Sequence, residues 1–420
     1  MPAYRHGVYV NEVPTSLTPM RHVEARMPVV FGLAPIHLAP GANAEPPAIN
    51  KPTLCHSYAD FVATFGASDD PAFTLCQAAR IFFRLYAVGP VVFVNVFDPT
   101  LHVADEADEA AGVEIGDPDP SQVTSADILG GVVTDTGVKT GLELVDSVFP
   151  MFRLVPGQIL CPGFSHIPAV AQAMQAKADE INTMFKALTV VDLPVDYYTE
   201  APGWKNANNY AYANMICCCG AVLNGDERQF LSTHLAALAM EVDEDNDDIP
   251  FVSPSNHSLR ITGFTIGGQV VNLGIEQANY LNGEGIVTAI NFDGGWKLWG
   301  NRTAVYPSNT DPKDSFIPIR SFFNWLGKTL ILSYWSRIDM PIRRRFIQNA
   351  LDSANVYLNG LAAREIILGG RCVFTEDENP VTDLMDGICR FHVFVTPPTP
   401  AREIDFTLEY DPAYFSTLFA

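Results

Sequence analysis

Long apolar runs are missing from this 420-residue sequence: the longest, such as MICCCGAVL, fall far short of the ~20 residues that a membrane helix needs. No apolar stretch follows the basic residues of MPAYRHGVYVNEV either, so neither a secretion signal nor a membrane span is expected. Nucleotide fingerprints are absent as well. No GxGxxG follows a candidate strand and no GxxxxGK[ST] occurs, which removes the two common phosphate-cradling motifs. The eight cysteines (55, 76, 161, 217, 218, 219, 372 and 389) form no CxxC pair, and the nine histidines do not cluster, so no metal site and no cofactor are expected. Basic residues are scarce, 26 Lys and Arg against 48 Asp and Glu, and a formal charge of −22 argues against binding a phosphate backbone. No internal repeat of fixed period is found.

What remains is a foldable α/β chain. Its hydrophobic fraction of 48% can fill real cores, and its length allows two or three domains. PVVFGLAP, from Pro28, reads as a buried strand. Asp70-Pro71 reads as a helix start, with Ala72, Leu75, Cys76, Ala79, Phe82, Phe83 and Tyr86 on one face. VVFVNVF, ILCPGF, ALTVVDLP and MICCCGAVL read as further strands, with IPAVAQAMQAKADEINTMF and ERQFLSTHLAALAMEV as helices between them. Residues 101–150 break the pattern with eleven acidic residues and one lysine, and are expected to be a solvated, partly ordered insertion. A longer helix is expected after Pro341, with Ile342, Phe346, Ala350, Leu351, Ala354 and Leu358 on one face and Gly360 at its stop; two or three short strands follow it.

Candidate chemistry is thin. Asp192 stands at the end of a strand, where a catalytic carboxylate or a capping aspartate would both fit. Ser165-His166 lacks the GxSxG frame, so Ser165 reads as a cap. Asp243, Asp245 and Asp247 open like a calcium loop, but Asp248 and Pro254 occupy the positions where glycine and glutamate are required. Cys217, Cys218 and Cys219 read as small core residues. Charge is uneven: Trp296 to Arg371 carries a net +6 and the remainder −28. Arg343, Arg344 and Arg345 are either a solvated basic face or a docking face for an acidic partner.

Both ends look like strands on tethers. HGVYVNEV precedes a turn-rich PTSLTP, and AREIDFTLEY follows the stiff TPPTP. In the latter, Ile404, Phe406, Leu408 and Tyr410 alternate with polar residues, the period of a half-buried strand that needs a pairing partner.

GGWKLWGNRT, from Gly294 to Thr303, resembles the signature GW(K/R)xWGNRT of contractile phage tail-sheath proteins, the family shared by myophage tails and R-type bacteriocins. YRHGVYVNEV resembles that family's amino-terminal arm, with His6 where many members have proline, and PVVFGLAP and LYAVGPVVFVNVF are similar to its next two conserved strands. The resemblance implies a multidomain α/β (α+β) subunit: an N-terminal arm at 1–25, an outer α/β region at 26–270 with a variable acidic insertion at about 101–125, an inner domain at 271–398, and a C-terminal arm at 399–420. It implies stacked hexameric rings around a tail tube, with baseplate and tail terminator proteins at the ends, in a virion or bacteriocin tail assembled in the bacterial cytoplasm. It implies strand exchange between subunits, carried here by Val8 and Val10 and by Ile404, Phe406, Leu408 and Tyr410. Arg343 to Arg345 are expected to face the tube, and Trp296, Trp299, Gly300, Asn301, Arg302 and Thr303 to be structural. No catalytic residue is expected. The competing expectations are an α/β enzyme working through Asp192 and a non-contractile assembly protein.

Overall fold

A computed structural model describes residues 19–21, 23–40, 48–104 and 115–419. Its centre is an eight-stranded sheet. In spatial order the strands are Trp296–Trp299, Ile286–Asn291, Met215–Cys219, Leu188–Leu193, Gln158–Leu160, Pro28–Gly32, Val91–Asn95 and Thr53–Cys55. The inner six run parallel and the two edge strands antiparallel. Parallel strands are covered on both faces and so read as unbroken apolar runs, as PVVFG, VVFVN and MICCC do, every residue of them buried. This is the α/β architecture expected, and helices such as Pro168–Asp179 and Leu231–Glu244 pack on it.

Several local expectations need correction. Asp70-Pro71 makes a turn in which the Asp70 carboxylate accepts from the Ala72 N–H at 2.9 Å; the helix begins at Thr74, whose hydroxyl accepts from the Leu33 N–H. MICCCGAVL is two strands in two sheets. Gly220 (φ +99) turns the chain out of the main sheet, and a Cβ there would lie 2.2 Å from the Phe264 ring, so only glycine fits. Ala221–Asn224 then joins a four-stranded antiparallel sheet with Glu227–Phe230, so ERQF is strand and the helix starts at Leu231. The helix after Pro341 spans Arg344–Ala363 and runs through Gly360; a left-handed Glu365 (φ 58) follows its end. Of the acidic stretch, residues 105–114 lie outside the described residues. Its later part is held by local carboxylate caps, Asp119 accepting from the Ser121 N–H and Asp127 from the Thr124 N–H.

A boundary at 270/271 would cut the main sheet, because Ile286 and Val287 pair with Cys217 and Cys218. The two cores meet instead along the helix Ile317–Tyr334. Ile317 belongs to the large core, whereas Phe322, Trp325 and Leu326 belong to a smaller one with Ala354, Leu358, Leu361 and Ile367. The chain's early residues clip this helix to the rest: the Trp325 indole donates to the Val23 carbonyl and the Lys328 ammonium to the Ala25 carbonyl.

At the same place Arg26 donates to Asp243 at 2.8 Å, both side chains being almost fully buried. Two nitrogens of Arg26 and one oxygen of Asp243 have no hydrogen-bond partner. Burial pushes the Asp243 carboxyl up to about 7 against the pull of Arg26, and pushes the Lys328 ammonium down to about 7. Between pH 3.8 and about 7 the folded chain holds a proton on Asp243 that the unfolded chain has released, so stability falls as pH rises. Between about 7 and 10.5 the unfolded chain holds a proton on Lys328 that the folded chain has lost, so stability rises. Lys328→Met should therefore abolish the gain above neutral pH and be neutral or stabilising, whereas Asp243→Ala should cost about 3–5 kcal/mol by stranding Arg26. Denaturant titrations across pH check both.

Candidate assembly interface

The enzyme-like features of the fold are occupied by structural contacts. In a doubly wound sheet a ligand would enter between Pro28–Gly32 and Gln158–Leu160, where the strand order reverses. Thr74 and Phe230 fill that place: a Cβ on Gly163 would meet the Thr74 methyl at 2.9 Å and the Phe230 ring at 3.7 Å. Asp192 is half-buried and accepts from the Ser232 N–H at 3.0 Å and the Ser232 hydroxyl at 2.5 Å, capping the helix Leu231–Glu244; Ser165 shares the same carboxylate. Burial pushes its carboxyl up to about 6 despite those donors. His166 lies outside this cluster of hydrogen bonds.

The other candidates also diverge. Asp243 points inward to Arg26 while Asp247 pairs outward with Arg364, so the acidic loop does not converge on one point. Among the described residues no group of three His, Cys, Asp or Glu could hold a metal, and no helix is long and apolar enough to cross a membrane. Cys217, Cys218 and Cys219 are buried free thiols, and burial pushes the first and third up to about 12.

The signature segment sits on the large core, not inside the small one. Trp296–Trp299 is the edge strand of the main sheet, with Trp296 buried near Phe264 and the Trp299 indole donating to Asn279. Gly300 (φ +137) turns the chain where a Cβ would lie 3.0 Å from the Val287 backbone. The Asn301 carbonyl accepts from the Ile317 N–H, Thr303 is bonded to Ser315 and Asp314, and the Arg302 guanidinium lies over the Phe316 and Tyr306 rings. WGNRT thus ties the sheet edge to the start of the helix Ile317–Tyr334, which carries the small core.

That small unit is where unpaired surface collects. Gly369–Val373 and His392–Thr396 form a two-stranded antiparallel sheet. One edge is closed: the Asn355 amide oxygen accepts from the Cys372 N–H at 2.8 Å, and its nitrogen donates to the Cys372 carbonyl at 3.0 Å. Residues opposite one another in an antiparallel pair share an orientation, so Val393, opposite Cys372, and Val395 direct their N–H and C=O groups away from the sheet. Among the described residues no strand pairs with that outer edge. Asn355 left no signal in the sequence, because its role depends on a strand seventeen positions away.

Residues 401–410 run extended without strand pairing, and Ile404, Phe406, Leu408 and Tyr410 are 69–95% exposed. Tyr414, Phe415, Leu418 and Phe419 of the following short helix, Pro412–Phe419, are exposed too. Arg343, Arg344 and Arg345 are exposed at the start of the helix Arg344–Ala363, with no carboxylate partner among the described residues. Val8 and Val10 lie outside the described residues.

Among the described residues the crevice of the sheet is thus lined by structural contacts, while a strand edge and the terminal apolar row are unmatched, surfaces suited to self-assembly. No family model matches the sequence. The chain is 23% identical to the tail sheath protein of Burkholderia phage BcepMu over 99% of its length and 98% of the relative's. It is 24% identical to a prophage major tail sheath protein of Pseudomonas aeruginosa, over 97% and 96%. In fold it is similar to the contracted helical sheath of the anti-feeding prophage (TM-score 0.68, 16% identity, 96% of this chain and 99% of that one). It is likewise similar to the contracted sheath of an extracellular contractile injection system (TM-score 0.67, 14% identity, 99% of each chain). Over nearly its whole length the chain is thus similar to contractile tail-sheath proteins in sequence and in fold, and it is a structural, non-enzymatic protein of that kind.

If Asp192 is only a cap, Asp192→Asn keeps an acceptor for the Ser232 N–H and removes a half-buried charge. Its stability should match or exceed that of the parent at pH 8, where the parent carboxylate is ionised above its folded value of about 6, and the advantage should shrink towards pH 4. Asp192→Ala should lose about 1–3 kcal/mol, and urea unfolding at the two pH values separates the two variants.

Proposed function

We propose that this sheath subunit polymerises as stacked hexameric rings around a tail tube, and that contraction of the sleeve drives the tube through a cell envelope. The observation that carries this reading is the pair of unmatched surfaces on one chain: an extended apolar row at 404–410 and an open strand edge at His392–Thr396. An exposed row of this kind is suited to β-augmentation, in which main-chain hydrogen bonds link subunits and alternate side chains fill a neighbour's surface. The row cannot pair with itself across a two-fold axis and also meet that edge, so the contact is heterologous and propagates. Ile404, Phe406, Leu408 and Tyr410 enter one neighbour, and Val8 and Val10 of the N-terminal arm enter another. Each small unit is thereby the inner, exchange-completed domain, and the eight-stranded α/β unit lies outside it.

Partners follow from the same reading: other copies of the chain, a tube protein, a baseplate and a terminator, within a phage tail or bacteriocin-like particle assembled in the host cytoplasm. The basic triplet Arg343 to Arg345 faces an acidic tube surface. Exposed ion pairs contribute only ~0–1 kcal/mol each, which suits contacts that must break on contraction. Contraction itself needs no catalysis, only two packings of the same rigid subunit with the extended one kinetically trapped.

Two outcomes are expected. Deleting residues 401–420 should leave a folded monomer by circular dichroism but abolish striated tubes in negative-stain electron microscopy; normal tubes would refute strand exchange through this arm. Replacing all three arginines by glutamate should disturb assembly around the tube while self-polymerisation persists, and unchanged co-assembly with the tube would remove them from that face.

A further inference from the structure

An apolar groove of about 890 Å³ opens in the small unit, between the helix Ile317–Tyr334, the helix Arg344–Ala363 and the segment preceding His392. Phe346, Ala354, Cys389, Phe391 and Val393 line it, and at its mouth Ile338, Met340 and Met385 are 46–83% exposed. We propose that residues 412–419 of a neighbouring copy fill this groove, so that each C-terminal arm ends in a hook. The proposal rests on the strand-exchange reading above and adds to it a second attachment point, with a different chemistry and a fixed direction.

Two features identify the occupant. The first is continuity. Val393 belongs both to the open strand edge and to the groove, and the groove lies at the end of that strand where His392 begins. An arm strand lying antiparallel to His392–Thr396 therefore delivers Tyr410 beside the groove, with only Asp411 before the helix Pro412–Phe419. A parallel arm would carry the helix to the far end, so the hook fixes the pairing as antiparallel. The second feature is apolar content: Tyr414, Phe415, Leu418 and Phe419 are exposed in the isolated chain, as is the groove's mouth, and neither surface is covered in cis.

Cys389 supplies the test, because it is half-buried in the groove while the other seven cysteines are buried free thiols. Polymerised Leu418→Cys sheath is treated with copper phenanthroline and run on a non-reducing gel. A ladder of linked subunits that disappears in the Leu418→Cys, Cys389→Ser double variant is the expected result. Intact tubes without a ladder overturn the hook while leaving strand exchange standing. A Cys389-dependent ladder from Val8→Cys in place of Leu418→Cys assigns the groove to the amino-terminal arm and also overturns it. A chain ending at Asp411 provides an independent reading: it should need at least tenfold more protein to form tubes than the full chain, and assembly at the parental concentration counts against the hook. If the chain ending at Pro400 also assembles normally, the failure lies with strand exchange itself.

Discussion

The contact on which the subunit's shape depends is the buried junction of Arg26, Asp243 and Lys328. Each comes from a different part of the chain: the residues after the N-terminal arm, the end of a helix on the main sheet, and the helix carrying the small core. Burying two cations with one carboxylate is an expensive way to gain stability, since desolvation offsets most of the Coulomb attraction. Its value is positional. Together with the Trp325 indole on the Val23 carbonyl, it sets the angle between the two units through directional contacts that an apolar seam would lack. WGNRT acts at the other end of the same joint, holding the sheet edge to the first turn of the helix by backbone bonds and a guanidinium stacked on two rings.

A subunit made rigid at its joint can leave its flexible connections to the arms. The TPPTP spacer and the extended residues after it cross no core, so they can swing while both ends of the linkage stay attached. On the proposed strand-exchange reading, contraction is a rigid-body rearrangement in which surface ion pairs would be exchanged and β-augmented linkages would persist. Main-chain hydrogen bonds suit the persistent contact because they are many and parallel.

Much of this was legible in the chain because the main elements announce themselves locally. Unbroken apolar runs mark parallel strands, and the alternation of Ile404, Phe406, Leu408 and Tyr410 marks an apolar row that the structure leaves exposed. What could not be read depended on distant residues. The break in MICCCGAVL is set by Phe264 pressing on Gly220, and the closed edge at Cys372 by Asn355 one helix away. The domain division implied by the resemblance missed that Ile286–Asn291 joins the sheet begun at Pro28, by pairing with Met215–Cys219. Gly360 failed as a helix stop because Leu358 and Leu361 still had a core to fill on either side of it.

The same sheet shows why a fold alone would have misled. Six parallel strands with a reversal of order are the frame on which nucleotide enzymes are built, and Asp192 stands at a strand end with two serines against it. The difference is one of occupancy. Where an enzyme keeps a crevice open, this chain inserts Thr74 and Phe230, and where an enzyme would expose a carboxylate, this one spends it on a helix cap. Among the described residues the unpaired hydrogen-bonding capacity lies at the opposite kind of place, on a sheet edge and in the exposed segment 401–410, where another polypeptide backbone can pair with it. Function in this molecule is therefore read from groups that lack a partner among the described residues.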